Sequence, residues 1–452
     1  MIDAVLNRFE VQAPVATMVR ATMANVLAPK QLDAIFRDAA VRQREGELLF
    51  STVVGLLHLA VLKTKPSLHA AYQAQHEEIG VSIRSVYEKV AQVELPVTRE
   101  LVRRTASGMG AVLDALGHPS REVLPGYRVR VLDGSHLRAT ERRLDVHRML
   151  NGAPLPGQAL VVLDPQRMLI EDMIPWEDGH SQERVILHEL VEDLRPGDVW
   201  IADRNFCTSM WLREIALNGS WFIIRQHAGL VAEELSKPVR CERTAEGQLF
   251  QQQVRHIDAY GDPLKMRRII LKLDAPTADG ETEIVILTNL PDSVSAMAVA
   301  TAYKDRWTIE GVFGELTLSL RGEINTLAYP PAALLAYALA LVTYNLLTVV
   351  KGAVAAVQGD EISNEMSTYY MAEEIASTHH GMDIAVPWEE WLSRYGDLPP
   401  VSLAEELKRM AGRVQLRRYR KHRRGPKRPP PKRSGSRQHV STKRLLTAKM
   451  KC

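Results

Sequence analysis

The stretch Tyr127-Arg128-Val129-Arg130-Val131-Leu132-Asp133 decides the fold. Basic and apolar side chains alternate along it, the period-two pattern of a half-buried strand. It stops at Asp133-Gly134, where a carboxylate stands at the strand's end. Residues 158–164 and 168–174 read as a second and a third strand. Residues 181–194 read as a helix: Ser181 caps it, Glu183 lies in its first turn, and Leu187, Leu190, Val191 and Leu194 give it an apolar face. Pro196-Gly197 ends it. Residues 198–203 form a fourth strand, again closing on an aspartate, Asp203. A helix over 209–218 and a strand over 221–225 follow.

The order β-β-β-α-β-α-β is that of an RNase H-like α/β core, a mixed five-stranded sheet with helices. In such a sheet the first and fourth strands run parallel and adjacent. Asp133 and Asp203, 70 positions apart, are then expected at one sheet edge. Asp164 also ends a strand, but that strand runs the other way, which sets it at the opposite edge and removes it as a candidate.

Around this core the chain divides by texture. Residues 1–125 carry apolar residues at helical spacing over 32–42, 47–63, 83–93 and 98–116, with Ser82 as a cap. They predict an α-helical N-terminal domain, suited to binding DNA ends. Residues 126–225 are the first part of the core and 226–282 a polar, β-rich insertion. Residues 283–357 are its second part, 358–406 a helical C-terminal region and candidate dimerisation element, and 407–452 a basic, disordered tail. That tail explains the charge balance. The net charge is +3, from 57 Lys or Arg and 54 Asp or Glu. Eighteen of the basic residues and none of the acids fall between Lys408 and Cys452, leaving 39 against 54 in residues 1–407. A basic tail on an acidic body points to nucleic acid. Arg417, Arg418, Arg420, Lys421, Arg423 and Arg424 are its densest cluster.

Three cysteines, widely spaced, exclude a disulfide framework or a zinc site and fit a reducing, cytoplasmic setting. The first ten residues carry Asp3 and Glu10 and no long apolar run, against a secretory signal. No residue from 324 to 350 is charged, which is long enough to cross a bilayer. Its alanines, its Tyr, Thr and Asn residues and its Pro330-Pro331 start predict a buried core helix instead, with no membrane partner.

The chemistry concentrates in Tyr303-Lys304-Asp305-Arg306-Trp307-Thr308-Ile309-Glu310. On one helix running from Ser295, Tyr303, Arg306 and Glu310 share a face at i, i+3 and i+7. An acid presented beside an arginine suits a phosphodiester: the acid holds a metal and the arginine grips phosphate. Asp133, Asp203 and Glu310 in that order suggest a two-metal nuclease or transposase, with Asp133 bridging and the other two holding one ion each. Hard carboxylates favour Mg²⁺, for which Mn²⁺ can substitute. Tyr303 is expected to hydrogen-bond a phosphate or sugar oxygen. Trp307 either packs in the core, the first expectation, or stacks on a base. His180 reads as a loop residue and His188 as a surface one; no HExxH occurs.

Leu132-Asp133-Gly134, Ala202-Asp203-Arg204-Asn205-Phe206 and the Tyr303, Arg306, Glu310 signature together resemble the DDE transposases of bacterial insertion sequences, most nearly insertion-sequence family four. Leu287-Thr288-Asn289-Leu290-Pro291 ahead of the signature is similar too. The resemblance spans about residues 125–350. It implies an acidic triad of Asp133, Asp203 and Glu310, Mg²⁺-dependent cleavage and strand transfer, recognition of terminal inverted repeats in double-stranded DNA, a dimeric synaptic complex, and DNA contacts from Tyr303 and Arg306. A bacterial, nucleoid-associated location would follow. The signature's usual lysine, seven residues after the glutamate, is here Thr317; Arg321, one turn on, is a stand-in for its charge. A degenerate DNA-binding relative, or a nuclease of the same fold without strand transfer, are the alternatives.

Overall fold

The computed structural model describes residues 2–117, 122–148, 152–277, 279–422 and 439–450, with only the backbone of Ser363. The chain opens with α1 (Ile2–Gln12), α2 (Pro14–Val26), α3 (Pro29–Ala39), α4 (Phe50–Val61), α5 (Leu68–Gln75), α6 (Ile83–Gln92) and α7 (Leu95–Leu116). Then come β1 (Arg128–His136), the short α8 (Asp145–Arg148), β2 (Ala153–Leu155), β3 (Gln158–Asp164) and β4 (Leu169–Trp176). A 3₁₀ helix over Glu183–Asp193 leads to β5 (Asp198–Ala202), α9 (Ser209–Leu217) and β6 (Trp221–Arg225). Next are β7 (Glu233–Glu234), β8 (Val239–Arg243), β9 (Gly247–Ile257), β10 (Pro263–Leu273) and β11 (Glu283–Thr288). The rest is α10 (Ala296–Lys304), α11 (Trp307–Ser319), α12 (Pro330–Gln358), α13 (Glu361–Glu365), α14 (Thr368–Ala385), α15 (Trp388–Tyr395), α16 (Pro400–Ala411), β12 (His439–Ser441) and α17 (Thr442–Met450).

The fold is mixed α/β around one large sheet, ordered β4-β3-β1-β5-β6-β11-β10-β9-β7, with β8 also paired to β9. β1 and β5 are parallel neighbours, paired from Arg128 with Asp198 to Leu132 with Ala202. β3 lies antiparallel on the other side of β1. Period-two alternation sorts the strands onto two cores. Val129, Val131, Val199 and Ile201 face the helices of the N- and C-terminal regions. Leu132, Trp200, Ala202 and Phe222 face the 3₁₀ helix and α9.

Four expectations need correction. The expected five-stranded sheet with a separate β-rich insertion is one continuous sheet among the described residues, because β11 pairs antiparallel with both β6 and β10. Residues 181–194 do not form an α-helix capped by Ser181. The turns over Glu183–Asp193 are 3₁₀, and the Ser181 hydroxyl accepts from Trp176 Nε1 at 2.9 Å, so it is unavailable as a cap. The tail is not uniformly disordered. Tyr419 is buried, β12 pairs parallel with β2, and α17 follows. Acidic partners hold the start of α17: Lys443 meets Glu177 at 2.5 Å and Arg444 meets Asp178 at 2.8 Å. Finally, the helix from Ser295 does not run unbroken to Glu310; it breaks at Asp305, between α10 and α11.

α12 is the fold's axle. It is 29 residues long and apolar enough to cross a membrane, yet its apolar window is wholly buried within the protein. α2, α4, α6, α7, α16 and β4 pack around it. The N-terminal helices therefore share one core with the sheet and the C-terminal helices. Asn345, fully buried on α12, closes the sheet's exposed edge. Its Oδ1 accepts from Ile170 N at 2.9 Å and its Nδ2 donates to Ile170 O at 2.8 Å, replacing the strand that β4 lacks on that side.

Asn345→Leu keeps the volume but strands the Ile170 N–H and C=O in an apolar setting. Each buried orphan costs about 1–3 kcal/mol. The urea midpoint should fall by the equivalent of about 2–4 kcal/mol with an unchanged m-value; a midpoint within error of wild type would refute the edge-closing role.

Candidate active site

The site grows from the register of β1 and β5. Leu132 is level with Ala202, so Asp133 stands beside Asp203, the first residue past the end of β5. β1 does not stop at Asp133-Gly134 as expected; its pairing with β3 carries it on to His136. Alternation places both on the face that carries α11, with Ser135 further along it. Gly134 points to the opposite face, and here its lack of a side chain matters. A Cβ on Gly134 would stand 2.0 Å from Glu183 Oε1, since Glu183 folds over the glycine. Glu183 also lies 3.6 Å from His136 Nδ1, and its Oε2 accepts from Asn205 Nδ2 at 3.4 Å.

Each acid is held differently. Asp133 Oδ1 accepts from its neighbour's amide, Gly134 N, at 2.9 Å. Asp203 accepts from Asn205 N at 2.7 Å, capping the short 3₁₀ turn Arg204–Phe206. Glu310, half exposed in the first turn of α11, pairs with Arg306 Nη1 at 2.9 Å. The same nitrogen lies 3.9 Å from Asp133 Oδ2. Arg306 thus bridges the strand acid and the helix acid. Four i→i+3 backbone bonds between residues 302 and 309 tighten the chain there, so Tyr303, Arg306 and Glu310 flank a junction between two helices and do not line one continuous face.

The electrostatics follow from burial. Burial pushes the Asp133 carboxyl up from 3.8 to about 7; Asp203 and Glu183 add to the rise, and the Gly134 amide and Arg306 oppose it. Burial likewise raises Glu183, against the pull of His136 and Asn205. For Arg306 burial disfavours the charge, but Tyr303, Glu310 and Asp133 outweigh it and its pKa lies above the usual value. Its Nε is buried and has no hydrogen-bond partner among the described residues. The guanidinium therefore holds a donor in reserve.

The remaining candidates are distributed unevenly. Tyr303 is 4 % exposed and sits behind Arg306; burial raises its phenol. Trp307, expected first in the core, is 49 % exposed, with the Arg306 guanidinium 5.4 Å from its ring centre. Arg418, Arg420 and Lys421 are paired with Glu374, Glu365 and Glu315. Arg417 donates to Gln415 at 3.4 Å. These acids offset part of the cluster's positive charge. Arg423 and Arg424 lie outside the described residues. Arg321, the proposed stand-in for charge at Thr317, gives its Nη1 to the carbonyls of Lys65 and Pro66 at 3.4 and 2.6 Å. Asp164 caps the β3–β4 turn, accepting from Gln166 N and Arg167 N. Sequence reading treated Glu183 only as a helix-start residue; the Asp-Gly that admits it was the available signal.

The donor set suits a hard divalent cation, being carboxylate throughout, with burial holding Asp133 partly protonated near neutrality despite the Arg306 charge. As they stand, no three such side chains among the described residues are close enough together to hold an ion. Arg306 occupies the ground between Asp133 and Glu310.

Fold and site define a mixed α/β protein with carboxylates on adjacent parallel strands beside a largely buried arginine. Residues 124–346 match the family model described as transposase DDE domain. That match supports a DDE transposase, an enzyme that acts on DNA. No curated protein matches the chain.

The raised Asp133 pKa has a stability consequence. Between about pH 4 and 7 the folded state keeps a proton that the unfolded chain releases, so raising pH through this window removes stability. Asn at 133 cannot titrate. In EDTA, D133N should gain on wild type as pH rises from 4 to 8, by at most about 4 kcal/mol at ~1.4 kcal/mol per unit. A stability difference that is flat with pH would show that Asp133 ionises normally.

Proposed function

We propose that this protein is the transposase of a bacterial insertion sequence. It would bind terminal inverted repeats as a homodimer and catalyse metal-dependent strand cleavage and transfer on double-stranded DNA. The observation that carries this reading is that Arg306 bridges Asp133 and Glu310 while Asp203 flanks Asp133 on the neighbouring strand, within the segment that matches the transposase DDE domain. On this reading β1, β3, β4, β5 and β6 form an RNase H-like core.

Asp133, Asp203 and Glu310 are the residues that would hold Mg²⁺, or Mn²⁺ in its place. Bound there, divalent cations supply activation of a water or 3′-hydroxyl and charge stabilisation at the leaving oxygen. The chain's own groups do the rest. Arg306 carries its unused Nε–H and its forked nitrogens toward a non-bridging phosphate oxygen. Tyr303, buried behind it, fixes the guanidinium plane. Gripping phosphate costs Arg306 its pairing with Glu310, which frees that carboxylate. The Asn205 amide keeps Asp203 turned toward the strand ends. Trp307, half exposed, offers a stacking face to an adjacent base.

The test is cleavage of the DNA flanking the coding sequence, with Mg²⁺, on a denaturing gel. D133A, D203A and E310A should each reduce cleavage at least about 10³-fold, since each would remove a metal ligand, while duplex affinity stays within about threefold of wild type. Specific binding without cleavage by wild type would favour a degenerate, binding-only relative. Cleavage without joined products would favour a nuclease. Metal affinity has its own readout: at pH 8 Mg²⁺ should raise the melting temperature of wild type and not of D133N. An equal shift in both would remove Asp133 from the metal site.

A further inference from the structure

Beside the acids lies a second concavity, a cleft of about 280 Å³. Its floor continues the elements that carry them. Ser135 is two residues beyond Asp133 on the same face of β1, and Thr317 is seven beyond Glu310 on α11, roughly 10 Å along the axis at 1.5 Å per residue. Its walls come from elsewhere. Lys63 enters from the end of α4, Arg138 from the loop after β1, and Arg321 from the loop after α11. Three cations thus face a small polar cleft whose lining holds one acid, Glu323. Glu323 is engaged: its Oε2 accepts from Arg138 N at 2.8 Å and lies 3.6 Å from Arg138 Nε.

Three features mark the cleft as built for an anion. Lys63 has φ +62°, a left-handed conformation that costs a side-chain-bearing residue about 1–2 kcal/mol and normally selects glycine at a helix end. Keeping a lysine there aims its ammonium at the last turn of α11, where Nζ donates to Leu318 O at 3.2 Å. Strain of this kind collects at functional positions. Secondly, Lys63 and Arg321 bear on each other: burial and then the Arg321 charge lower the lysine's pKa, a repulsion that an anion between them would relieve. Thirdly, the Tyr337 hydroxyl lines the cleft and is buried beside Ser135, which eases the rise that burial gives its phenol. Its O–H is placed to turn to an incoming acceptor.

We propose that this cleft binds a backbone phosphate of the DNA strand that passes the acids, with Lys63 and Arg138 as its cationic ligands and Tyr337 as a hydrogen-bond donor. Arg321, held by the carbonyls of Lys65 and Pro66, positions the Lys63 loop and contributes charge without contact. The proposal rests on the transposase reading for the identity of the strand. It assigns part of the substrate path to the N-terminal helical region, so that the site is completed by residues more than 60 positions ahead of the first acid.

The experiment is a fluorescence-anisotropy titration with a labelled 30-base-pair duplex of mixed sequence, in EDTA, across a series of NaCl concentrations. K63Q/R138Q should weaken binding at least about tenfold and flatten the slope of log affinity against log salt by close to two contacts, at ~0.9 each. Thr317 is exposed on α11, so its substitution spares the core and keeps the proposal testable if the double variant does not fold. T317E should lower affinity and slope, and T317K should raise both. A double variant with the wild-type slope, or T317E and T317K indistinguishable from wild type, would overturn the site. Failure of the transposase reading looks different: wild type would cut no flanking DNA with Mg²⁺, yet the salt slope would still respond to these substitutions, leaving the phosphate site standing.

Discussion

The parallel pairing of β1 with β5 is the constraint on which the rest depends. Parallel strands share an end, and only that geometry sets Asp133 and Asp203 side by side across 70 residues of chain. Parallel strands also demand a covered crossover. Here the chain crosses by way of β3, β4 and the 3₁₀ helix, and that helix with α9 buries one face of the sheet. The other face needs a second cover, and α12 with the helices around it provides that. Two carboxylates at one edge repel, so the arrangement persists because β-pairing and burial of both faces outweigh it. Burial is the chief cause of the raised Asp133 pKa, and the Asp203 charge adds to it.

Arg306 is the counterweight. With its guanidinium 2.9 Å from Glu310 and 3.9 Å from Asp133, it neutralises in part a site that would otherwise hold carboxylates alone. That role explains the break at Asp305. A straight helix would carry Tyr303, Arg306 and Glu310 past the strand end in a fixed spiral. The tightened turns shorten the approach, so that α10 packs on β10 and β6 while α11 reaches β1. One cation serves as structural glue in the free protein and as a phosphate donor in the proposed complex, which links folding of the site to its occupancy.

Much of this was legible in the sequence, and the failures share a physical cause. β3 over Gln158–Asp164 and β6 over Trp221–Arg225 match their expected limits, because short apolar runs flanked by turn residues are locally determined. Ser82 caps α6 as its side chain requires, accepting from Ser85 N. What local pattern did not reveal was partnership. α2 and α5 escaped notice because α2 is buried nearly all round and so shows no amphipathic stripe, while α5 has only eight residues. The insertion read as β-rich, but nothing in its own residues showed that β11 would join it edgewise to the core sheet. The tail read as disordered from its charge; its ordered segments are stabilised by acids far away in sequence, Glu374, Glu177 and Asp178.

The candidate site divides along the same line. Asp203 and Glu310 were readable because a strand end and a helix start are local features; Asp133 was readable from the alternation before it, although β1 continues past it to His136. Glu183 was not, since its place depends on Gly134 leaving room on the opposite face. Nor was Lys63, whose left-handed backbone and contact with Leu318 exist only once α4 meets α11. Both residues come from segments whose sequence shows no chemistry of their own. A site at the junction of several elements therefore has an inner set of groups encoded by motif and an outer set encoded by packing. The outer set sets the charge balance: Glu183 adds a carboxylate on one side of the sheet, and Lys63 with Arg138 adds cations on the other. That asymmetry gives a polyanion a direction of approach, away from the Glu183 face and along α11, before any base is contacted.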